Sequence, residues 1–461
     1  MNLAGIYKLK FNFLPISSFV FLLGFSPVSG YAFYQQTPRI ATFDIDATPP
    51  VGSQLTYDPM VNNWDLGLRA KGIIILGSGQ PIVMCSVDWI GISNESQDEF
   101  KRVMALAAGT VPTRVVVHTI HQHDAPASDL GAEVIMKSAG MEPGAFDGTY
   151  TRDLIDRLGQ AIRKSVLTAL PFTHIGTGQA EVFKVASNRR ILGSDGKVKF
   201  SRTSATKDSL MRAEPEGLID PMVSLISFWN KDEPLAVLSY YASHPQSYYR
   251  TGVANPDFPG VSRFMRQLAV PEALHIHFNG AGGNITAGKY NDGARENRLI
   301  LAERLADGMK RAWESTTRKA VTSGSISWNV EPVQLKPAAG IEKLEAGLKT
   351  GTSVFIANNI SKLVWLRRLQ AGKKIDISSL AIDNVRIIHL PGEPFVEYQL
   401  AAKAVRPDLF VSVAGYGDYG VGYIGTAVAY SEGGYETGQA SGVTADAEMI
   451  LMKAIWKLLQ K

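Results

Sequence analysis

The stretch Arg114-Val-Val-Val-His118-Thr-Ile-His121-Gln-His123-Asp124-Ala-Pro126 carries most of the fold information in this chain. It starts as an uninterrupted β-branched run, the pattern of a strand covered on both faces. It then breaks into polar and proline-bearing residues just where three of the eight histidines fall within six positions. Along an extended segment side chains alternate, so His121 and His123 are expected on one face about 7 Å apart. Two imidazoles at a strand exit can hold a divalent metal, or a metal and a proton carrier.

Working outward, the same layout recurs. Candidate strands are Gly72–Leu76, Pro81–Val87, Arg114–Thr119, Val223–Trp229, Ala236–Tyr241, Leu274–Phe278 and Val385–Leu390. Helices are expected over Ser96–Ala107, Arg152–Leu170, Ala294–Trp313 and Ala445–Leu459, where apolar residues recur at three- and four-residue spacing. Strands interspersed with helices predict an α/β fold, a layered mixed β-sheet domain with flanking helices. No Pro/Gly/Ser linker divides residues 31–461, which read as one catalytic-type domain. The more polar stretch Ala339–Lys373 reads as an excursion or cap.

Several strands end in residues that can carry chemistry. His244 closes Leu238-Ser-Tyr-Tyr-Ala-Ser-His244-Pro245, and Glu393 follows the sharp turn in Leu390-Pro391-Gly392-Glu393. Gly415–Gly425 is a glycine- and tyrosine-rich loop, and Phe278–Asn284 is a glycine-rich strand exit without a phosphate-loop lysine. Asp88, closing another strand, is a candidate to orient a histidine. Of the four tyrosines 240, 241, 248 and 249, half are expected in the core and the others along a cleft.

The chain has 461 residues with 45% hydrophobic and 20% charged content, a globular rather than disordered composition. Net charge +4, from 47 basic and 43 acidic residues, gives no sign of a nucleic-acid binder. One cysteine, Cys85, excludes an intrachain disulfide framework and a cysteine-based structural zinc site. The first thirty residues hold Lys8 and Lys10, then an apolar run too short to span a bilayer comfortably, then small residues ending near Gly30. That is the layout of a secretory signal peptide, so residues 1–30 are expected to be removed and the protein to be exported, periplasmic or secreted.

Taken together, the segments resemble the catalytic domain of the neutral/alkaline non-lysosomal ceramidases, in that family's order, over roughly residues 40–440. The family's His-Thr-His-Ser-Gly/Ala-Pro is similar to His121-Gln-His123-Asp124-Ala125-Pro126, its Asn-Arg to Asn188-Arg189, and its strand-terminal histidine to His244. Its Pro-Gly-Glu is similar to Pro391-Gly392-Glu393 and its Tyr-Val/Ile-Thr-Thr to Tyr423-Ile-Gly-Thr426. The resemblance implies one zinc per chain, with His121, His244, Glu393 and Tyr423 as ligands. The segment that supplies the family's active-site serine here reads Asn255-Pro256-Asp257-Phe258-Pro259-Gly260, which puts Asn255 at the serine position. The altered Asn188-Arg189-Arg190-Ile191 segment is a second departure. The chain is also too short for the family's C-terminal immunoglobulin-like domain.

The expected activity is zinc-dependent hydrolysis, with an amide of the N-acyl, ceramide-like kind as the favoured bond. His123 is the candidate proton carrier, Arg189 or donors of Gly280–Asn284 the oxyanion stabiliser, and Asp257 a positioner of substrate or water. Asn188, Asn255, Tyr248 and Asn284 are candidates for substrate binding. The alternatives are an esterase, lactonase or carbohydrate-directed enzyme on the same scaffold, and behind those a non-catalytic binding protein. A small-molecule or lipid substrate is implied, a lipid bringing peripheral membrane contact with it. Nothing in the sequence bears on oligomeric state.

Overall fold

The computed structural model describes residues 37–350 and 353–461, and residues 36–461 form one compact unit. The expected signal peptide lies outside the described residues. Three mixed sheets form the frame. The first comprises β1 (Arg39–Asp46), β2 (Arg69–Leu76), β3 (Ile82–Val87), β4 (Val115–Thr119) and the short β5 (Leu170–Pro171), in the order β4-β3-β2-β1-β5. The second comprises β6 (His174–Glu181), β7 (Met222–Asn230), β8 (Glu233–Tyr241), β9 (Leu274–Asn279) and β10 (Thr317–Ala320), in the order β9-β8-β7-β6-β10. The third runs β11 (Ile326–Val333), β12 (Ile375–Ile382), β13 (Val385–His389) and β14 (Phe410–Ala414).

All three sheets contribute to one shared core. Ile73, Ile75 and Met84 of the first meet Ile226, Phe228, Leu238 and Phe278 of the second and Leu380, Ile382 and Ile387 of the third. The other face of each sheet is covered by helices, as buried strands require. Helices α1 (Asn94–Ala108), α2 (Leu130–Ser138) and α3 (Thr149–Leu167) follow early in the chain, and α1 and α3 cover the first sheet. In α3 the residues Leu154, Ile155, Leu158 and Ile162 make the buried stripe. Helices α4 (Asp257–Ala269) and α5 (Glu296–Glu314) back the second sheet. The third is backed by α7 (Ser353–Gln370), which follows α6 (Ile341–Thr350), and by α8 (Val396–Val405) and α9 (Ala447–Leu459).

Within its three sheets each of the expected strands and helices is present, with ends shifted by a few residues. The stretch 339–373 differs from its reading as a polar excursion. It folds as α6 and α7, and α7 buries Ile360, Leu363, Val364, Trp365 and Leu366. One of its charges ties it to the first sheet's helices, as the half-buried Arg368 pairs with Asp98 of α1 at 3.0 Å. Among the described residues no helix is long and apolar enough to cross a membrane.

One topological feature positions the site. Each sheet contains a single parallel pair, β3 with β4, β8 with β9, and β13 with β14. The chain leaves β4, β8 and β13 towards His121, His244 and Glu393 respectively. Ligand sites gather at the carboxyl ends of parallel strands because the loops there are free of ladder hydrogen bonds.

Candidate metal centre

The strand β4 ends at Thr119, and the histidine motif is not extended beyond it. His121 has φ 64°, in the left-handed region, so strict alternation fails. The turn still brings both rings inward: those of His121 and His123 lie 5.0 Å apart, edge to face. His244 joins them at 4.6 Å from His121 and 5.2 Å from His123. The three buried imidazoles offer nitrogens all within 4.8 Å of one another, a group that could hold a metal ion.

Glu393 enters through the Pro391-Gly392 turn. Gly392 has φ 57°, and a Cβ there would sit 2.4 Å from the carbonyl oxygen of Gly422, so only glycine fits. The turn lets Glu393 pair with Tyr423 in a two-residue parallel ladder. The glycine-rich exit of β9 packs behind it: a Cβ on Gly283 would meet the Glu393 carbonyl at 2.4 Å. That loop's glycines therefore serve close backbone packing. The amides of Gly280 and Gly283 are spent on Tyr241 and Pro394 carbonyls, which leaves Arg189 as the sturdier oxyanion candidate.

Nitrogen and oxygen lone pairs converge here. The Nδ1 of His121 lies 2.6 Å from the carbonyl of Ile90, which fixes the proton on that nitrogen and leaves Nε2 bare. That Nε2 faces His244 Nε2 at 3.1 Å and Glu393 Oε2 at 3.3 Å, and the last pair is 3.7 Å apart. Oε2 is buried with no hydrogen-bond partner. Ligands on a tetrahedral ion with bonds of about 2.0–2.2 Å are about 3.4 Å apart, so these three groups fit one cation. Burial, then the charge of Arg189 and the neighbouring imidazoles, pushes His244 well below the usual histidine range. Burial, the adjoining His121 imidazole and the Arg189 charge do the same to His123, so the His244 and His123 rings are neutral, the form that ligates.

Tyrosines of the Gly415–Gly425 loop wrap the cluster. Tyr416 stacks on His121 with rings 4.5 Å apart, and the Tyr419 hydroxyl donates to Glu393 Oε1 at 2.5 Å. Tyr423 lies parallel to His244 at 6.3 Å, and its hydroxyl accepts from Arg189 at 3.0 Å. Burial raises the Tyr423 phenol, Arg189 opposing and Glu393 adding to the shift. Burial disfavours the Arg189 charge, yet Tyr423, Glu436 and Glu393 push its pKa up. Arg189 is thus a fixed, buried cation.

The remaining candidates stand around this centre. Asn188 donates to Leu218 and its carbonyl oxygen accepts from the Arg190 amide. Asn284 binds Glu397 and the Val396 amide. Asn255 accepts from the Asp257 amide, and Asp257, at φ 50°, holds Ser247 through its amide and hydroxyl. Tyr248 lies under the Arg298 guanidinium, 3.7 Å from its centroid. These groups tie loops to helices, and Asp257 holds the segment after His244 in place. Asp88 orients no histidine side chain. It forms a two-pronged pair with Arg263 at 2.6 and 2.7 Å, a buried arrangement that costs about 3–5 kcal/mol to break.

Tyr249, one of the cleft candidates, and two residues that sequence reasoning passed over stand closer. Tyr57 lies parallel to His123 at 5.9 Å, Tyr249 is 5.6 Å from it, and Tyr435 packs on Tyr423 at 5.7 Å. Tyr240 and Tyr241 are buried in the core. Only the strand register, with Tyr249 well past its end, could have separated these pairs.

No protein family matches the sequence, and comparison with curated proteins finds no match. The fold does match solved structures. Neutral ceramidase from Pseudomonas aeruginosa superposes with a TM-score of 0.66 and 16% identity, covering 92% of this chain and 75% of that one. A structure of ceramidase complexed with C2 gives a TM-score of 0.64, again at 16% identity and the same coverage. The fold is ceramidase-like.

Proposed function

We propose that this ceramidase-like fold serves a zinc-dependent hydrolase that cleaves N-acyl amides of the ceramide-like kind. The observation that carries the reading is the convergence of His121 Nε2, His244 Nε2 and the unpartnered Glu393 Oε2 within 3.7 Å. Tyr423, beside His244, completes the ligand set. Zinc, when bound, supplies a Lewis acid and lowers the pKa of a coordinated water from about 16 to about 7.

The chain's own groups handle the proton and the charge. His123 is neutral, and its Nδ1 has no protein partner, so it can take a proton from the attacking water. The water oxygen bonds to the acyl carbon, the carbon–nitrogen bond breaks, and His123 returns the proton to the departing amine. Arg189 holds positive charge next to the Tyr423 hydroxyl, suited to negative charge developing on the acyl oxygen. Tyr57, Tyr249 and Tyr435, exposed and packed on His123 and Tyr423, are placed to meet the substrate's apolar part. The N-terminal layout supports export.

A second reading, an esterase or lactonase on the same site, rests on Asn255. Its carboxamide is engaged with the Asp257 amide and offers no hydroxyl at the serine position. The test is metal analysis of purified protein followed by turnover of matched lauroyl amide and lauroyl ester substrates. One zinc per chain with amide turnover supports the proposal; ester turnover alone moves it to the second reading; no metal and no turnover ends both.

A further inference from the structure

A cation stands near this centre without an anionic partner among the described residues. After His244 the chain forms a strap that reaches Gly252, where Val61 and Asn62 donate to the Gly252 carbonyl at 2.7 and 3.3 Å. The strap carries Tyr249 and Arg250, and the segment it is stitched to carries Tyr57. Arg250 has φ 63°, an unfavourable backbone for a residue with a long side chain. Asp124, next to His123, holds it there: its carboxylate accepts from the amides of Arg250 and Thr251 at 2.8 and 3.2 Å, and from the Thr251 hydroxyl at 3.0 Å. The guanidinium lies 5.2 Å from the Tyr57 ring and 5.7 Å from that of Tyr249, both of which contact His123.

The charge has an obvious use. Arg250 is exposed and forms no ion pair or side-chain hydrogen bond among the described residues, so all five of its N–H donors are open. Two rings flank the guanidinium and a carboxylate anchors its left-handed backbone, one aromatic ring away from His123. A merely solubilising arginine needs none of this. A planar fork of donors held in one place matches an oxyanion with two accepting oxygens.

We propose that Arg250 is a specificity-determining residue that reads an anionic oxyacid group on the substrate, so that the preferred substrates are N-acyl compounds carrying a carboxylate, sulfonate or similar group close to the scissile amide. The proposal rests on the hydrolase reading for its word "substrate", and the guanidinium's recognition of an anion can be measured without turnover.

Three probes differ only in their end group: N-lauroyl-β-alanine, N-lauroyltaurine and the neutral N-lauroylethanolamine. Calorimetric binding to metal-free wild type should favour one or both anionic probes about tenfold over the neutral one, the scale of a hydrogen bond to a charged group. The Arg250→Gln variant should erase that preference, and Arg250→Lys, which keeps the charge, should retain part of it. Preference for the β-alanine probe alone specifies a carboxylate; equal preference for both anionic probes specifies any oxyanion. Equal binding of all three by wild type, or an undiminished preference in Arg250→Gln, overturns the inference. Anion preference without turnover of any amide or ester would sink the hydrolase reading and leave anion recognition standing. Turnover of the neutral amide with no anion preference would do the reverse.

Discussion

Seven of the eight histidines are buried, and they fall into two groups that burial alone does not separate. His121, His123 and His244 sit in loops just beyond strand ends. His118, His275, His277 and His389 sit inside β4, β9 and β13. Burial lowers titratable rings in both groups: His123 and His244 fall well below the ordinary range, His118 to about 4 and, with nearby cationic side chains, His275 and His277 to about 3. The difference is where the nitrogens aim. In the strands three rings bond a backbone or hydroxyl oxygen, His118 the Gly415 carbonyl at 2.6 Å, His277 Ser239 at 2.9 Å and His389 Ser378 at 3.2 Å, and although His118 and His389 lie 5.3 Å apart no carboxylate joins them. Beyond the strand ends the rings turn towards one another and towards a carboxylate. A strand's pleat fixes side-chain direction, whereas a loop with a left-handed residue can bend several side chains onto one point.

The comparison can be broken most directly by deleting one member of the converging group. His121→Ala should abolish stoichiometric zinc, read by metal analysis, while His118→Gln keeps one zinc per chain. Equal metal content in both would erase the distinction. His123→Gln should retain the metal and lower kcat about 100- to 10,000-fold, the range for loss of a general acid–base group. Retained kcat would remove His123 from the chemistry. Tyr419→Phe removes the hydrogen bond to Glu393 and should weaken zinc affinity about 10- to 100-fold in a competitive chelator titration.

The smallest expected effects fall on the strand group and concern stability. Its folded pKa values lie below the ordinary 6.5, so below about pH 6.5 the unfolded chain takes up protons that the folded chain refuses. Stability therefore falls as pH drops from about 6.5 and the His118 contribution levels off near pH 4. His118→Gln should flatten part of that fall in Tm against pH, at a cost of about 1–3 kcal/mol at neutral pH if the Gly415 carbonyl is left unpaired. An unchanged acid profile would show that His118 protonates without penalty.

Much of this was legible in the sequence where an apolar run stops abruptly at a chemically distinctive residue. The exits of β4, β8 and β13 all have that form, and the residues flagged there, His121, His244 and Glu393, are the ones that converge. Strands whose faces differ escaped notice. In β1, Arg39, Asp44 and Asp46 dilute the apolar pattern, and β12 buries Ser378 and Ser379 among its apolar residues. The rim was legible only at Tyr249. Tyr57 and Tyr435 sit in loops, where a tyrosine has no period to betray it, and their proximity depends on contacts spanning most of the chain. Asp88 was misjudged because a strand-end carboxylate looks the same whether its partner is a histidine or, as here, Arg263.

The three converging groups arrive from three different sheets. A cation bound to all of them would be a keystone, closing a seam where separate slabs of the molecule meet at their tips. Stripping it should loosen the molecule at three places far apart in the chain simultaneously, near residues 121, 244 and 393, and quicker amide hydrogen exchange at those segments together is the signature of such a clasp coming undone.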